Sequence, residues 1–98
     1  MKNYDYQQID DLIHSRIRLA IMSVLISLDD AEFNFIKKQV NATDGNLSVH
    51  LRKLEEAGYI NVKKEFKGRK PISRYNLTEK GRTSFETYIN KLEELIRK

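Results

Sequence analysis

The sequence predicts a mainly α fold with one small β-hairpin, an α+β domain, and three observations predict it. Apolar residues recur at helical spacing from about Ser15 to Ala57. Just after Gly58 the spacing drops to an alternation of two. Helical spacing then returns at Thr78 and continues to the end of the chain. At 98 residues the chain is expected to form a single domain, 1–98, with one modest core.

A short helix carrying Tyr6, Ile9, Leu12 and Ile13 is expected before Ser15. The first long helix runs from near Ser15 to Leu28, because Ile17, Ala20, Ile21, Val24, Leu25 and Leu28 fall at intervals of three and four. Asp29 and Asp30 end it and are expected to cap a second helix from about Ala31 to Val40, with Phe33, Ile36 and Val40 facing inward. After a joint at about Asn41 to Thr43 comes the best-delimited helix, about 44–57. Thr43 or Asp44 serves as N-cap, and Gly58 stands where a glycine ends a helix. Leu47, Leu51 and Leu54 make one apolar stripe. Gly45, Asn46, Ser48, Val49 and Arg52 occupy the other side, with His50 and Lys53 at its flanks. Two short helices joined by about three residues describe a helix-turn-helix.

A hairpin follows over about 60–77. Ile60 and Val62, continued by Lys64 and Phe66, alternate with Asn61, Lys63 and Glu65 as one strand with a buried face. In the second strand Ile72, Arg74 and Asn76 alternate with Ser73, Tyr75 and Leu77, and "KGRKP" turns between the strands. A hairpin directly after a helix-turn-helix is a wing. The last helix, about 78–98, starts at the cap Thr78. Phe85, Tyr88, Leu92 and Leu95 make a short coiled-coil seam, widened by Ile89 and Ile96. This surplus apolar surface is expected to meet a second copy of the chain, joined by Tyr4, Tyr6, Ile9 and Leu12. Packing back on its own core is the alternative.

The net charge of +4 is unevenly placed. Residues 1–45 hold five Lys/Arg against seven Asp/Glu, residues 46–76 eight against three, and residues 77–98 five against four. The cationic third contains the best-delimited helix and the wing, and it suits a polyanion. There are no cysteines, so disulfides and thiolate metal sites are excluded and a reducing, cytoplasmic address fits. With His14 and His50 the only histidines, no metal site and no cofactor are expected. No apolar run approaches the roughly 20 residues of a membrane span. No carboxylate pair, phosphate loop or Ser/His/Asp set points to an enzyme.

The pattern S-x-H-L-x-x-L-x-x-A-G-x-I (Ser48, His50, Leu51, Leu54, Ala57, Gly58, Ile60) and the pattern Y-x-L-T-x-x-G (Tyr75, Leu77, Thr78, Gly81) occur in order. Together with the element order, they make the chain from about Ile13 to Lys98 resemble the winged helix-turn-helix regulators of the MarR and ArsR type. The cysteine pair common in ArsR-like metal sensors is absent, and the chain is shorter than most MarR-like proteins. The resemblance implies a homodimer that binds double-stranded DNA at an inverted repeat, with the helix 44–57 in the major groove. Asn46, Ser48, Val49, His50, Arg52 and Lys53 are then the candidate groove residues. Lys67, Arg69 and Lys70 would follow the backbone or minor groove, supported by Lys63, Lys64 and Arg74. Arg52 and Lys53 have an alternative in surface pairing with Glu55 or Glu56, and His50 in packing at the edge of the leucine stripe. The competing function is a winged helix serving as a protein–protein interaction module.

Overall fold

The structure, a computed structural model, describes residues 5–97. A 3₁₀ turn (Tyr6–Gln8) leads to α1 (Arg16–Ile26), β1 (Ala31–Glu32), α2 (Phe33–Val40), α3 (Asp44–Glu56), β2 (Ile60–Lys67), β3 (Lys70–Leu77) and α4 (Glu79–Ile96). The strands form one antiparallel sheet in the order β1-β3-β2. Tyr4 and Lys98 lie outside the described residues.

The N-terminal helix expected before Ser15 is reduced to the 3₁₀ turn. Asp10 explains why: its Oδ1 accepts from the backbone N–H of Leu12 (2.9 Å) and Ile13 (3.3 Å), holding the chain in a side-chain-capped turn instead of a helix. Its Oδ2 accepts from the Tyr59 hydroxyl at 2.6 Å, tying this turn to the end of α3. Burial, and then the hydrogen bond to Asp10, push the Tyr59 phenol up from its ordinary pKa. Ser15 does cap α1, its Oγ accepting from Arg18 N–H at 3.4 Å.

Residues 31–32, expected inside the second helix, instead add a third strand to the sheet: Ala31 pairs with Tyr75 and Glu32 with Arg74. Consequently α2 begins at Phe33, its N-cap is Glu32 without a side-chain cap bond, and Asp29–Asp30 do not cap it. Asn41 ends α2 in the left-handed conformation (φ +57°), one asparagine tolerates more readily than most residues.

Helix α3 starts at the cap Thr43, which accepts from Asn46 N–H at 3.2 Å. At its end Gly58 has φ +81°, and two bonds close the helix: Gly58 N–H to Glu55 C=O and Tyr59 N–H to Leu54 C=O, both 2.9 Å. Leu47, Leu51 and Leu54 are buried with Ile21, Met22, Leu25, Ile36 and Ile60 in one continuous core. Strands β2 and β3 pair from Ile60–Leu77 to Lys67–Lys70 around Gly68 and Arg69. Their shared face descends from buried Ile60 to Phe66, which is 73% exposed rather than on the buried face the alternation suggested.

At the start of α4, Thr78 Oγ1 donates to Gly58 C=O (2.6 Å) and accepts from Gly81 N–H (2.9 Å), while Thr78 N–H donates to Tyr59 C=O (3.0 Å). Gly81 packs so tightly there that a Cβ would sit 2.0 Å from the Tyr59 carbonyl oxygen. The end of α3, the base of the wing and the start of α4 thus meet at one junction. Phe85 (8% exposed) and Tyr88 (2%), expected in a partner interface, are instead covered by the chain's own core. Helix α4 contributes to an elongated molecule of 57 × 25 × 21 Å.

Candidate nucleic-acid interface

Three leucines fasten one side of α3 to the core, so its other side is left to solvent. Asn46, Ser48, Arg52 and Lys53 are exposed, and Val49 is 49% exposed. Asp44 opens the helix with a carboxylate, and Lys37 of α2 neutralises it at 2.7 Å. Neither Arg52 nor Lys53 forms an ion pair with Glu55 or Glu56 among the described contacts.

His50 is half-buried and differs from its neighbours. Its Nδ1 lies 2.8 Å from Arg18 Nη1. A guanidinium only donates, so Nδ1 is the acceptor and the ring proton sits on Nε2. Burial, then the charges of Arg18 and Lys53, push the imidazole pKa below its ordinary value, favouring this neutral form. Arg18 also donates through Nε to the Leu12 carbonyl. It therefore ties the N-terminal segment to α3. Sequence reasoning did not single out Arg18 for this role: it is 32 positions from His50 and no local pattern joins them.

A groove at the same end is lined by Ser15, Arg16, Ile17, Asn41, Asn46 and His50, among others. It brings the first residue of α1, the left-handed turn and the N-terminal half of α3 together. Arg16 is exposed there and adds a cation beside Asn46.

The six wing cations divide between two faces. Register places Lys63, Lys67, Lys70 and Arg74 on one face with Glu65 and, from β1, Glu32. Arg74 is the hub of an ion-pair network there, reaching Asp30 (3.1 Å), Glu32 (3.4 Å) and Glu65 (3.1 Å), and Lys67 also meets Glu32 at 3.1 Å. Arg74 is thus held by three carboxylates at the wing's base. Lys64 points from the opposite face and Arg69 caps the loop; among the described residues these two, with Lys63 and Lys70, make no ion pair.

Of the residues expected at a dimer contact besides Phe85 and Tyr88, Ile9, Leu12 and Leu92 are half-buried against the core and Leu95 is half-buried. Ile89 is 36% and Ile96 74% exposed. Apolar surface therefore remains on the distal half of α4 rather than along the whole seam. Among the described residues, no helix is long and apolar enough to cross a membrane.

Residues 17–96 match the family described as winged helix DNA-binding domain. An uncharacterized protein of Methanocaldococcus jannaschii is 43% identical over 86 residues, spanning 86% of this chain and 91% of the relative. A transcriptional regulator homologue from Pyrococcus horikoshii OT3 superimposes with a TM-score of 0.81 at 29% identity, over 87% of this chain and 84% of that one. A MarR-family transcriptional regulator from Silicibacter pomeroyi shares the fold (TM-score 0.64, 18% identity), over 88% of this chain and 60% of that one.

Proposed function

Because the chain belongs to the winged helix DNA-binding domain family, we propose that it is a sequence-specific regulator of transcription that binds duplex DNA as a homodimer in the cytoplasm. One observation carries this reading: the N-terminal half of α3 is pinned by buried leucines, and its Asn46, Ser48, Val49 and Arg52 side stands free beside a cationic hairpin.

In this reading the exposed half of α3 enters the major groove. Asn46 and Ser48 supply short donors and acceptors to base edges, Val49 meets a thymine methyl, and Arg52 reaches guanine or a phosphate. Lys53 contacts the backbone. His50 acts less as a base reader than as the strut that, through Arg18, fixes the angle of the helix. Arg69, Lys70 and Lys64 of the wing neutralise phosphates, with Lys63 and Lys67 adding to the field, while Arg74 anchors the wing to β1. Phosphate contacts supply most of the affinity and little of the sequence choice.

Ile89, Leu92, Leu95 and Ile96 of α4, with Ile9 and Leu12, join two copies. A two-fold dimer presents its recognition helices about one DNA turn apart, roughly 34–36 Å, so the preferred site is an inverted repeat. Selection of bound duplexes from a random pool, with the mass of the complex, tests this directly. An enriched inverted repeat bound by two chains is the expected outcome; recovery of no duplex, or of a protein partner only, would favour the interaction-module reading.

A further inference from the structure

The wing ends in an aromatic residue that the core does not use. Phe66 lies six residues along β2 from buried Ile60, about 20 Å at strand rise, and is 73% exposed. Its cross-strand partner is Pro71, itself exposed, so two rigid apolar side chains stand on one face of the hairpin beside the loop. Lys64 follows on that face and Arg69 and Lys70 stand at the tip, while Lys67 points to the opposite face. The acids of that region, Glu65 and Glu32, lie on the other face, where Arg74 binds Glu65 and Lys67 binds Glu32, each at 3.1 Å. A single exposed apolar residue needs no explanation by itself. An apolar pair with Lys64, Arg69 and Lys70 close by, none of them in an ion pair among the described residues, is ill suited to an apolar protein patch. The charges match a polyanion with an apolar interior: stacked bases lined by phosphates.

We infer that Phe66, backed by Pro71, is a wedge that enters the minor groove at a flexible base step and unstacks it. Apolar wedges of this kind kink duplexes and favour pyrimidine–purine steps. The wing then contributes sequence preference through DNA deformability, in addition to charge. This rests on the DNA-binding reading above.

The test uses the full chain and its selected duplex, with 2-aminopurine placed in turn at TA and CA steps flanking the α3 footprint. Phe66→Thr keeps strand propensity and removes the wedge; Phe66→Leu restores apolar bulk. Wild type is expected to raise the 2-aminopurine fluorescence at one step. Phe66→Thr should lose that signal and about tenfold in affinity with the salt slope unchanged, and Phe66→Leu should recover most of both. Equal signals and affinities for wild type and Phe66→Thr, or a Phe66→Leu no better than Phe66→Thr, would overturn the wedge while leaving DNA binding intact. Failure of wild type to bind any duplex would remove the DNA-binding reading and the wedge together.

Discussion

Replacing Gly81 by alanine perturbs the junction on which the whole reading surface is built. The new Cβ would lie 2.0 Å from the Tyr59 carbonyl oxygen and 2.9 Å from its carbon. Ordinary contact begins near 3.4 Å, so about 1.4 Å of separation has to be opened between α4 and the α3–β2 turn. That displacement strains the bonds from Thr78 N–H to Tyr59 C=O (3.0 Å) and from Thr78 Oγ1 to Gly58 C=O (2.6 Å). Overpacking costs roughly 1–3 kcal/mol and each weakened hydrogen bond about 1 kcal/mol. Against this, alanine gains about 1 kcal/mol over glycine in a helix interior. The net loss is about 2–4 kcal/mol, or roughly 10–30 °C in Tm for a domain of this size. Gly45 is the control: nothing lies within 4 Å of its Cβ position, so Gly45→Ala should be neutral or slightly stabilising. Urea unfolding followed by circular dichroism reads both. A Gly81→Ala protein as stable as wild type would refute the close-packed junction.

Other perturbations test the neighbouring parts. His50 has a folded pKa below 6.5, so the unfolded chain binds more protons as pH falls through 6.5 toward that lower value, and the contribution of neutral His50 to stability, complete above 6.5, is lost across that window. Urea midpoints measured through this range should fall less in His50→Asn than in wild type; parallel profiles would remove the Arg18–His50 bond from the account. Arg74→Leu removes the cation shared by Asp30, Glu32 and Glu65, and of the three only Glu32 keeps an ion-pair partner, Lys67, among the described residues. A loss of about 1–2 kcal/mol is expected at low salt, narrowing as salt screens the carboxylates, and a salt-independent loss would argue for packing instead. Asn46→Ala and Ser48→Ala should each reduce affinity for the selected duplex by about 1–3 kcal/mol while sparing random duplex. Equal losses on both duplexes would reject base readout by these side chains.

Much of this was legible along the chain wherever the physics is local. The stripe of Leu47, Leu51 and Leu54, the cap Thr43 and the stop at Gly58 set α3 to within a residue or so of its expected 44–57. The alternation after Gly58 marked both strands, and Thr78 marked the start of α4. What escaped sequence reasoning is long-range. The strand at Ala31–Glu32 exists because β3 offers it a partner and Arg74 draws Asp30 and Glu32 to the sheet, which also takes Asp30 away from any cap. The Asp10 turn is held through Tyr59, 49 positions away. Phe85 and Tyr88 have the spacing of a coiled-coil seam, yet the same spacing serves a helix whose first half lies on its own core. For the candidate interface, the exposed side of α3 could be read from the stripe opposite it, whereas the pairing of Arg74 with three carboxylates and the link from Arg18 to His50 required the fold.

The most direct measurement is the affinity of the protein for a selected and a random duplex across a salt series, repeated with Arg69 and Lys70 both changed to alanine. With about four phosphates neutralised per subunit, the slope of log K against log salt is expected near −7, and the double variant should flatten it by about one to two units on both duplexes. Salt-insensitive binding, or a slope untouched by losing both wing cations, would contradict a hairpin and helix that meet DNA together.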